Sequence, residues 1–239
     1  SRKMYDLAIP EYELFLISST NSPSRDAALF RVAECHRMAG NSSAARSAYE
    51  KLLSEFKAGE FAAAGAYRLG EIHFAEKHFE PAFLQFDLAS SGVGDPEVRL
   101  SAAYFAARSL DALKKDDMAE ERYRAVLAAS GTNPYHDNAG IALAALQLRN
   151  GKKTSALSTL ANLIETTSSS DVGNSAALQA GALAKELGIV DKALQFYDRV
   201  AQRGGDEKSR SEAFLAALRL RYETNDADGI IGAGEGIEN

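Results

Sequence analysis

The sequence predicts an all-α chain, an α-α superhelix built as a solenoid of antiparallel helix pairs with a 37-residue period. Three observations carry that prediction. Alanine returns at Ala8, Ala45, Ala82, Ala119, Ala156 and Ala193 in one unbroken row, and a period of this length is the signature of a repeat architecture. Four residues after each alanine stand Tyr12, Tyr49, Phe86, Tyr123, Leu160 and Tyr197, and seven after stand Phe15, Leu52, Ala89, Val126, Leu163 and Val200. Spacings of four and seven share one face of an α-helix, so each repeat owns one amphipathic helix. Twelve residues before the later alanines lie Ala33, Gly70, Ala107, Ala144 and Gly181, a small-residue row that Leu218 continues. It marks a second helix that approaches the first closely.

Taken in order, the chain opens with a half repeat over 1–22 that carries Ala8 and Tyr12. Pro10 lies two residues beyond Ala8, so this helix is expected either to start near Pro10 or to kink there. Repeats follow over about 23–58, 59–94, 95–132, 133–169 and 170–206, with a partial repeat over 207–239. Leu29, Val32 and His36, then Ala66, Leu69 and His73, then Ala103, Ala106 and Leu110 supply the first-helix stripes. Ala39-Gly40-Asn41-Ser42 and Asn150-Gly151-Lys152-Lys153 read as the turns that close a pair. Pro81 suits the opening turn of its helix. Neither helix could bury its stripe alone, so the pairs must stack. The 239 residues are read as a single array and as a fragment of a longer protein, since both ends fall inside repeats.

The pattern resembles the tetratricopeptide repeat, in which Leu-Gly or Leu-Ala sits mid-helix, an alanine follows twelve residues later and an aromatic four further on. Leu69-Gly70, Ala82, Phe86 and Ala89 match it best. The resemblance covers essentially the whole chain and implies a right-handed solenoid. The chain departs from the family in its longer period, in lacking Trp, and in a closing proline present only loosely as Pro23, Pro96 and Pro134.

Bulk composition narrows the function. A formal net charge of −6 opposes binding to nucleic acid or another polyanion. No apolar stretch reaches the roughly 20 residues that span a bilayer. The single cysteine, Cys35, allows no internal disulfide and reads as a small packed side chain. Of the four histidines, His36 and His73 share one repeat position with Leu110 and Gln147 and read as packing residues. His73 and His78, although near Glu71 and Glu76, do not fall on one helix face and miss the His-Glu-x-x-His zinc spacing. No metal, cofactor or catalytic residue is therefore assigned. Gly229-Ile-Ile-Gly-Ala-Gly234-Glu-Gly236 lacks the preceding strand, following helix and lysine of a phosphate-cradling loop and reads as a frayed helix or a disordered end.

In the resembled family the first helix of each pair lines the concave face. The matching trios are Phe30, Glu34 and Arg37; Tyr67, Glu71 and Phe74; Tyr104, Arg108 and Asp111. Ile141, Ala145 and Leu148, then Leu178, Ala182 and Lys185, then Leu215, Arg219 and Tyr222 continue them. The candidate partner-binding set is Phe30, Glu34, Arg37, Tyr67, Glu71, Phe74, Tyr104, Arg108, Asp111, Ile141, Leu148 and Leu178. Two readings of its apolar row compete, packing between repeats and a strip that grips a peptide or partner helix. A family subset clamps terminal carboxylates with Lys and Asn here; Phe30 with Glu34 and Tyr67 with Glu71 imply that the clamp is absent.

The leading expectation is a non-enzymatic scaffold that binds a protein or peptide partner. The alternatives are a substrate-recruiting domain of a larger enzyme and a self-assembling scaffold. Segments 28–34, 49–53 and 66–71 resemble those of bacterial envelope members, the outer-membrane assembly lipoprotein and the Tol-Pal accessory protein. That implies a periplasmic or outer-membrane-associated location, with the cytoplasm as the alternative.

Overall fold

The computed structural model describes residues 2–129, 133–203 and 205–235, and among them every regular element is an α-helix. The chain forms two compact units, residues 1–135 and 136–239. The first holds α1 (Arg2–Ser18), α2 (Arg25–Met38), α3 (Ser42–Glu55), α4 (Ala62–Ala75), α5 (Phe79–Ser91), α6 (Pro96–Ala112) and α7 (Asp116–Ala128). The second holds α8 (His136–Arg149), α9 (Lys153–Thr166), α10 (Ser170–Glu186), α11 (Val190–Arg203), α12 (Glu207–Glu223) and α13 (Ala227–Glu235). The fold class is the expected all-α helical-repeat solenoid.

The period is visible in the backbone itself. The second helices begin at Ser42, Phe79, Asp116, Lys153, Val190 and Ala227, each 37 residues after the last. The first helices come in two lengths, and a cap decides which. α6, α10 and α12 have 17 residues, and their N-caps Asp95, Ser169 and Asp206 accept hydrogen bonds from the N–H groups of Glu97, Val172 and Ser209. α2 and α4 lack such a bond and run for 14. A side-chain oxygen that satisfies an orphan N–H lets the helix begin a turn earlier.

Every first helix ends in the same left-handed turn. Gly40, Lys77, Lys114, Gly151, Gly188 and Asn225 all have φ between 58° and 80°. At the first of these, the Gly40 N–H donates to the Arg37 carbonyl at 3.0 Å and the Asn41 N–H to the His36 carbonyl at 2.8 Å. The same pair of bonds recurs at the other five turns and satisfies the carbonyls that a helix end exposes. Glycine tolerates this backbone, whereas lysine must force its Cβ toward a carbonyl. Lys77→Gly and Lys114→Gly are therefore expected to stabilise the chain by about 0.5–1 kcal/mol each, after the entropic cost of glycine in the unfolded state. Guanidinium melts of the single and double variants check this.

The alanine row is the floor of the core. Ala45, Ala82, Ala119, Ala156 and Ala193 are wholly buried, and Tyr49, Phe86, Tyr123, Leu160 and Tyr197 are at most 5% exposed. These aromatics press on the small-residue row of the partner helix. A Cβ added at Gly70 would lie 2.7 Å from the Phe86 ring, and one at Gly181 would lie 2.6 Å from Tyr197.

Two expectations are narrowed. α1 runs unbroken from Arg2 to Ser18 with Pro10 inside it, so it does not start near that proline. Pro10 is exposed, and the hydrogen bond it forgoes is at the water-facing side of the helix. Residues 229–234 of the glycine-rich tail lie within α13, where the Gly229 N–H donates to Asp226 Oδ1 at 2.9 Å; Gly236 lies outside the described residues.

Candidate functional site

The first-helix face differs between the two units. In the first unit its aromatic row is mostly consumed by packing. Phe30 of α2 stacks on Phe61 at 5.2 Å and tilts against Tyr49 at 6.1 Å. Tyr67 of α4, 8% exposed, meets Phe86 and Phe105 at 5.8 and 6.2 Å. Phe74 meets Phe79 and Phe105 edge-on at 5.4 and 5.9 Å. Tyr104 of α6, 6% exposed, stacks on Tyr135 at 4.7 Å with their planes 7° apart. Side chains so enclosed hold neighbouring repeats together and leave only their edges for a ligand.

Over those rings runs a chain of charge. Arg37 grips Glu34 bidentately through Nε at 2.9 Å and Nη2 at 2.7 Å, and the Tyr49 hydroxyl donates to the same carboxylate. Arg68 lies 3.7 Å from Glu34 and closes on Glu71 at 2.8 Å. Burial alone would push the Glu34 carboxyl up, but the hydrogen bonds from Arg37 and Tyr49 and the charges of Arg37 and Arg68 outweigh it and hold it below the usual carboxylate range. Burial and the bond to Glu34 push the Tyr49 hydroxyl up. Arg108 is exposed and sits over Phe74 and Tyr104 at 5.2 and 6.0 Å from the ring centres, while Asp111 beside it is half-buried.

This network has a pH signature. A carboxyl whose folded pKa is depressed contributes stability that is complete above its unfolded value, about 4.3, and is lost as pH falls through the folded value. Glu34→Gln should therefore lower the melting temperature at neutral pH and flatten its decline below about pH 4.3. An unchanged acid limb would show that Glu34 is not held as described.

In the second unit the same row is open. Ile141 and Leu148 of α8 are 45% and 39% exposed, and Leu215 and Tyr222 of α12 are 52% and 77% exposed. Leu178 of α10 is half-buried against the core of that unit. Ala145 and Ala182 are exposed, and Lys185 is held by Glu223 at 2.8 Å. Phe30, Tyr67 and Tyr104 each meet a ring of the next repeat, in Phe61, Phe105 and Tyr135, whereas Ile141 and Leu215 are left exposed.

One cluster escaped the spacing argument. His73, Glu76 and His78 do not share a helix face, yet the left-handed turn at Lys77 folds them together, with potential ligand atoms within 4.8 Å of one another. His78 Nδ1 lies 3.3 Å from Glu76. Arg46 pairs with that carboxylate at 2.9 Å and places a positive charge where a cation would compete, so the group is best described as an ion-paired turn. Cys35 is half-buried, and burial with the Glu34 charge pushes its thiol up, which disfavours the reactive thiolate.

These features define the class: an all-α helical-repeat fold of the tetratricopeptide type. The tetratricopeptide repeat family model matches residues 27–58, the α2–α3 pair. Among solved structures, YrrB, described as a TPR protein with an unusual peptide-binding site, superposes with a TM-score of 0.58 at 17% identity, covering 84% of this chain and 96% of its own. A tetratricopeptide repeat protein from Parabacteroides merdae gives 0.55 at 14%, covering 98% and 86%. The pilF protein of Pseudomonas aeruginosa gives 0.51 at 18%, covering 89% and 90%. Likeness at these identities establishes the fold alone. No curated protein sequence matches the chain.

Proposed function

We propose that this chain is a non-enzymatic scaffold that holds a peptide or helix of a partner protein on the face shared by its first helices. The observation that supports it is the open row in the second unit, where Ile141, Leu148, Leu215 and Tyr222 stand 39–77% exposed at matching repeat positions. Large apolar side chains aligned on one face and left in water are characteristic of interaction sites. Fully burying an exposed side chain of this size is worth about 1.5–3 kcal/mol, so completing the burial of this row supplies part of the driving force for association. The fold likeness to a protein described as having a peptide-binding site agrees with this reading. We further infer one continuous repeat array and a role in bacterial envelope assembly, the latter from the segment resemblance; no helix of the described residues is long and apolar enough to cross a membrane.

The test is photo-crosslinking from residues 148 and 215 in the source cell, followed by binding measurements with the captured protein. Leu148→Ala with Leu215→Ala should weaken that binding at least tenfold and leave the thermal melt unchanged. Tyr67→Ala should instead lower the melting temperature. A captured partner indifferent to the first pair would remove this face as the site.

A further inference from the structure

The turn between α4 and α5 gathers three side chains that can ligate a metal. His73, Glu76 and His78 each offer one ligand atom, and these atoms all lie within 4.8 Å of one another. The His78 N–H donates to the His73 carbonyl at 2.8 Å and the Lys77 N–H to the Phe74 carbonyl at 3.0 Å, so the backbone that brings the two imidazoles together is fixed before any ligand arrives. Groups held on a fixed frame lose less freedom on binding. His73 Nδ1 is buried with no hydrogen-bond partner among the described residues, a polar atom whose demand the protein leaves unmet.

The other turns supply an internal control. They share the left-handed backbone, yet the three positions hold His36, Ala39 and Asn41 at the first turn, Leu110, Leu113 and Lys115 at the third, and Ala184, Leu187 and Ile189 at the fifth. Gln147, Asn150 and Lys152 fill them at the fourth, and Arg221, Thr224 and Asp226 at the sixth, so no other turn has more than one histidine or carboxylate there. The four residues between His73 and His78 fall within the three to five that separate paired zinc-binding histidines. A straight helix does not present such a pair on one face, and the left-handed residue supplies the bend. Atoms bonded to zinc at about 2.0–2.1 Å stand roughly 3.3 Å apart around a tetrahedron. His78 Nδ1 already lies 3.3 Å from Glu76 Oε2, and the remaining separation is within reach of side-chain rotation at Glu76 and His78, both exposed.

We propose that this turn binds a zinc-class divalent ion through His73, Glu76 and His78, with water completing the tetrahedron. Two imidazoles and one carboxylate are the donor set of an open zinc site, whereas magnesium and calcium take oxygen ligands. In the metal-free chain Arg46 holds Glu76, which makes the cluster the ion-paired turn described above. Lys77 adds a second positive charge within the turn, and Glu50, near enough to act on His73, offsets part of both. Arg46 and Glu76 are each about a third exposed, and a pair of that kind shifts an equilibrium by roughly fivefold at most. Chelation by three ligands outweighs this by orders of magnitude, so Arg46 tunes the affinity and does not close the site. His78 is also the N-cap residue of α5, so a bound ion would clip the end of α4 to the start of its partner helix. The site does not depend on the partner-binding reading.

Titration of the intact, metal-free chain with zinc against a chromophoric chelator tests the proposal. One zinc per chain should bind at micromolar concentration or below, and an excess of magnesium or calcium should not displace it. His78→Gln should weaken binding at least tenfold; that side chain is exposed, so the melting temperature without zinc should hold. His73→Gln should cause a similar loss and His36→Gln none. Arg46→Gln should tighten binding several-fold, because it removes the competing cation. Zinc should raise the melting temperature of the parent chain and not that of His78→Gln. Uptake that ignores His78→Gln, or that amounts only to weak adventitious binding shared among the four histidines, would overturn the assignment. So would an Arg46→Gln chain that binds zinc less tightly than its parent.

Discussion

Phe86→Ala is expected to remove about 3–5 kcal/mol of stability. The ring is wholly buried and stacks on Phe105 at 5.4 Å with their planes 26° apart. It also meets Tyr67 at 5.8 Å and Phe74 at 6.4 Å, so three further aromatics border the space it would vacate. Rings anchored in two neighbouring repeats cannot collapse into the gap, and dispersion contacts are lost on every side. In a repeat protein, stability is carried by nearest-neighbour interfaces, so a defect at α5 should also loosen α4 against α6. Guanidinium unfolding followed by circular dichroism reads this as a fall in midpoint, and amide exchange should localise it to residues 62–112. A loss under 1 kcal/mol would mean that Phe86 is not the keystone described.

Gly70→Ala is expected to cost about 1–3 kcal/mol, a sign opposite to the one helix propensity alone would give. Alanine in a helix interior is ordinarily favoured over glycine by about 1 kcal/mol. Here the added Cβ would fall 2.7 Å from both Cδ1 and Cε1 of Phe86, and that ring is itself pinned. Combining Gly70→Ala with Phe86→Leu should be less harmful than the two losses added, because the smaller side chain gives the methyl room. Gly181→Ala repeats the experiment in the second unit, where the Cβ would lie 2.6–2.9 Å from three atoms of the Tyr197 ring. If both glycines accept alanine with a gain in melting temperature, the helix pairs are further apart than described.

These two variants also mark how far the sequence can be read. The row Ala33, Gly70, Ala107, Ala144 and Gly181 announces a close helix contact by its spacing, because a period of 37 with small residues in phase has no other simple cause. It does not say that alanine fits at residue 33 while residue 70 admits only glycine. That depends on how near the partner ring comes, a matter of tenths of an ångström set by the whole stack. The turns divide in the same way. Gly40 and Gly151 signal a left-handed residue, but Lys77 and Lys114 adopt the same backbone with no signal, since the flanking helices over-determine it.

By itself the sequence determined the all-α class, the pairing of helices, the repeat register and the core row from Ala45 to Ala193, because each rests on local periodicity that a helix converts directly into a face. Only the tertiary structure decided which side chains of that face are available. Tyr67 and Tyr104 occupy the same repeat position as Ile141, yet the first two are at most 8% exposed and the last is 45% exposed. Position in a repeat fixes direction, whereas exposure depends on the size of neighbours two helices away. The meeting of His73, Glu76 and His78 was hidden for a different reason: it follows from the left-handed backbone at Lys77, which helical spacing does not anticipate.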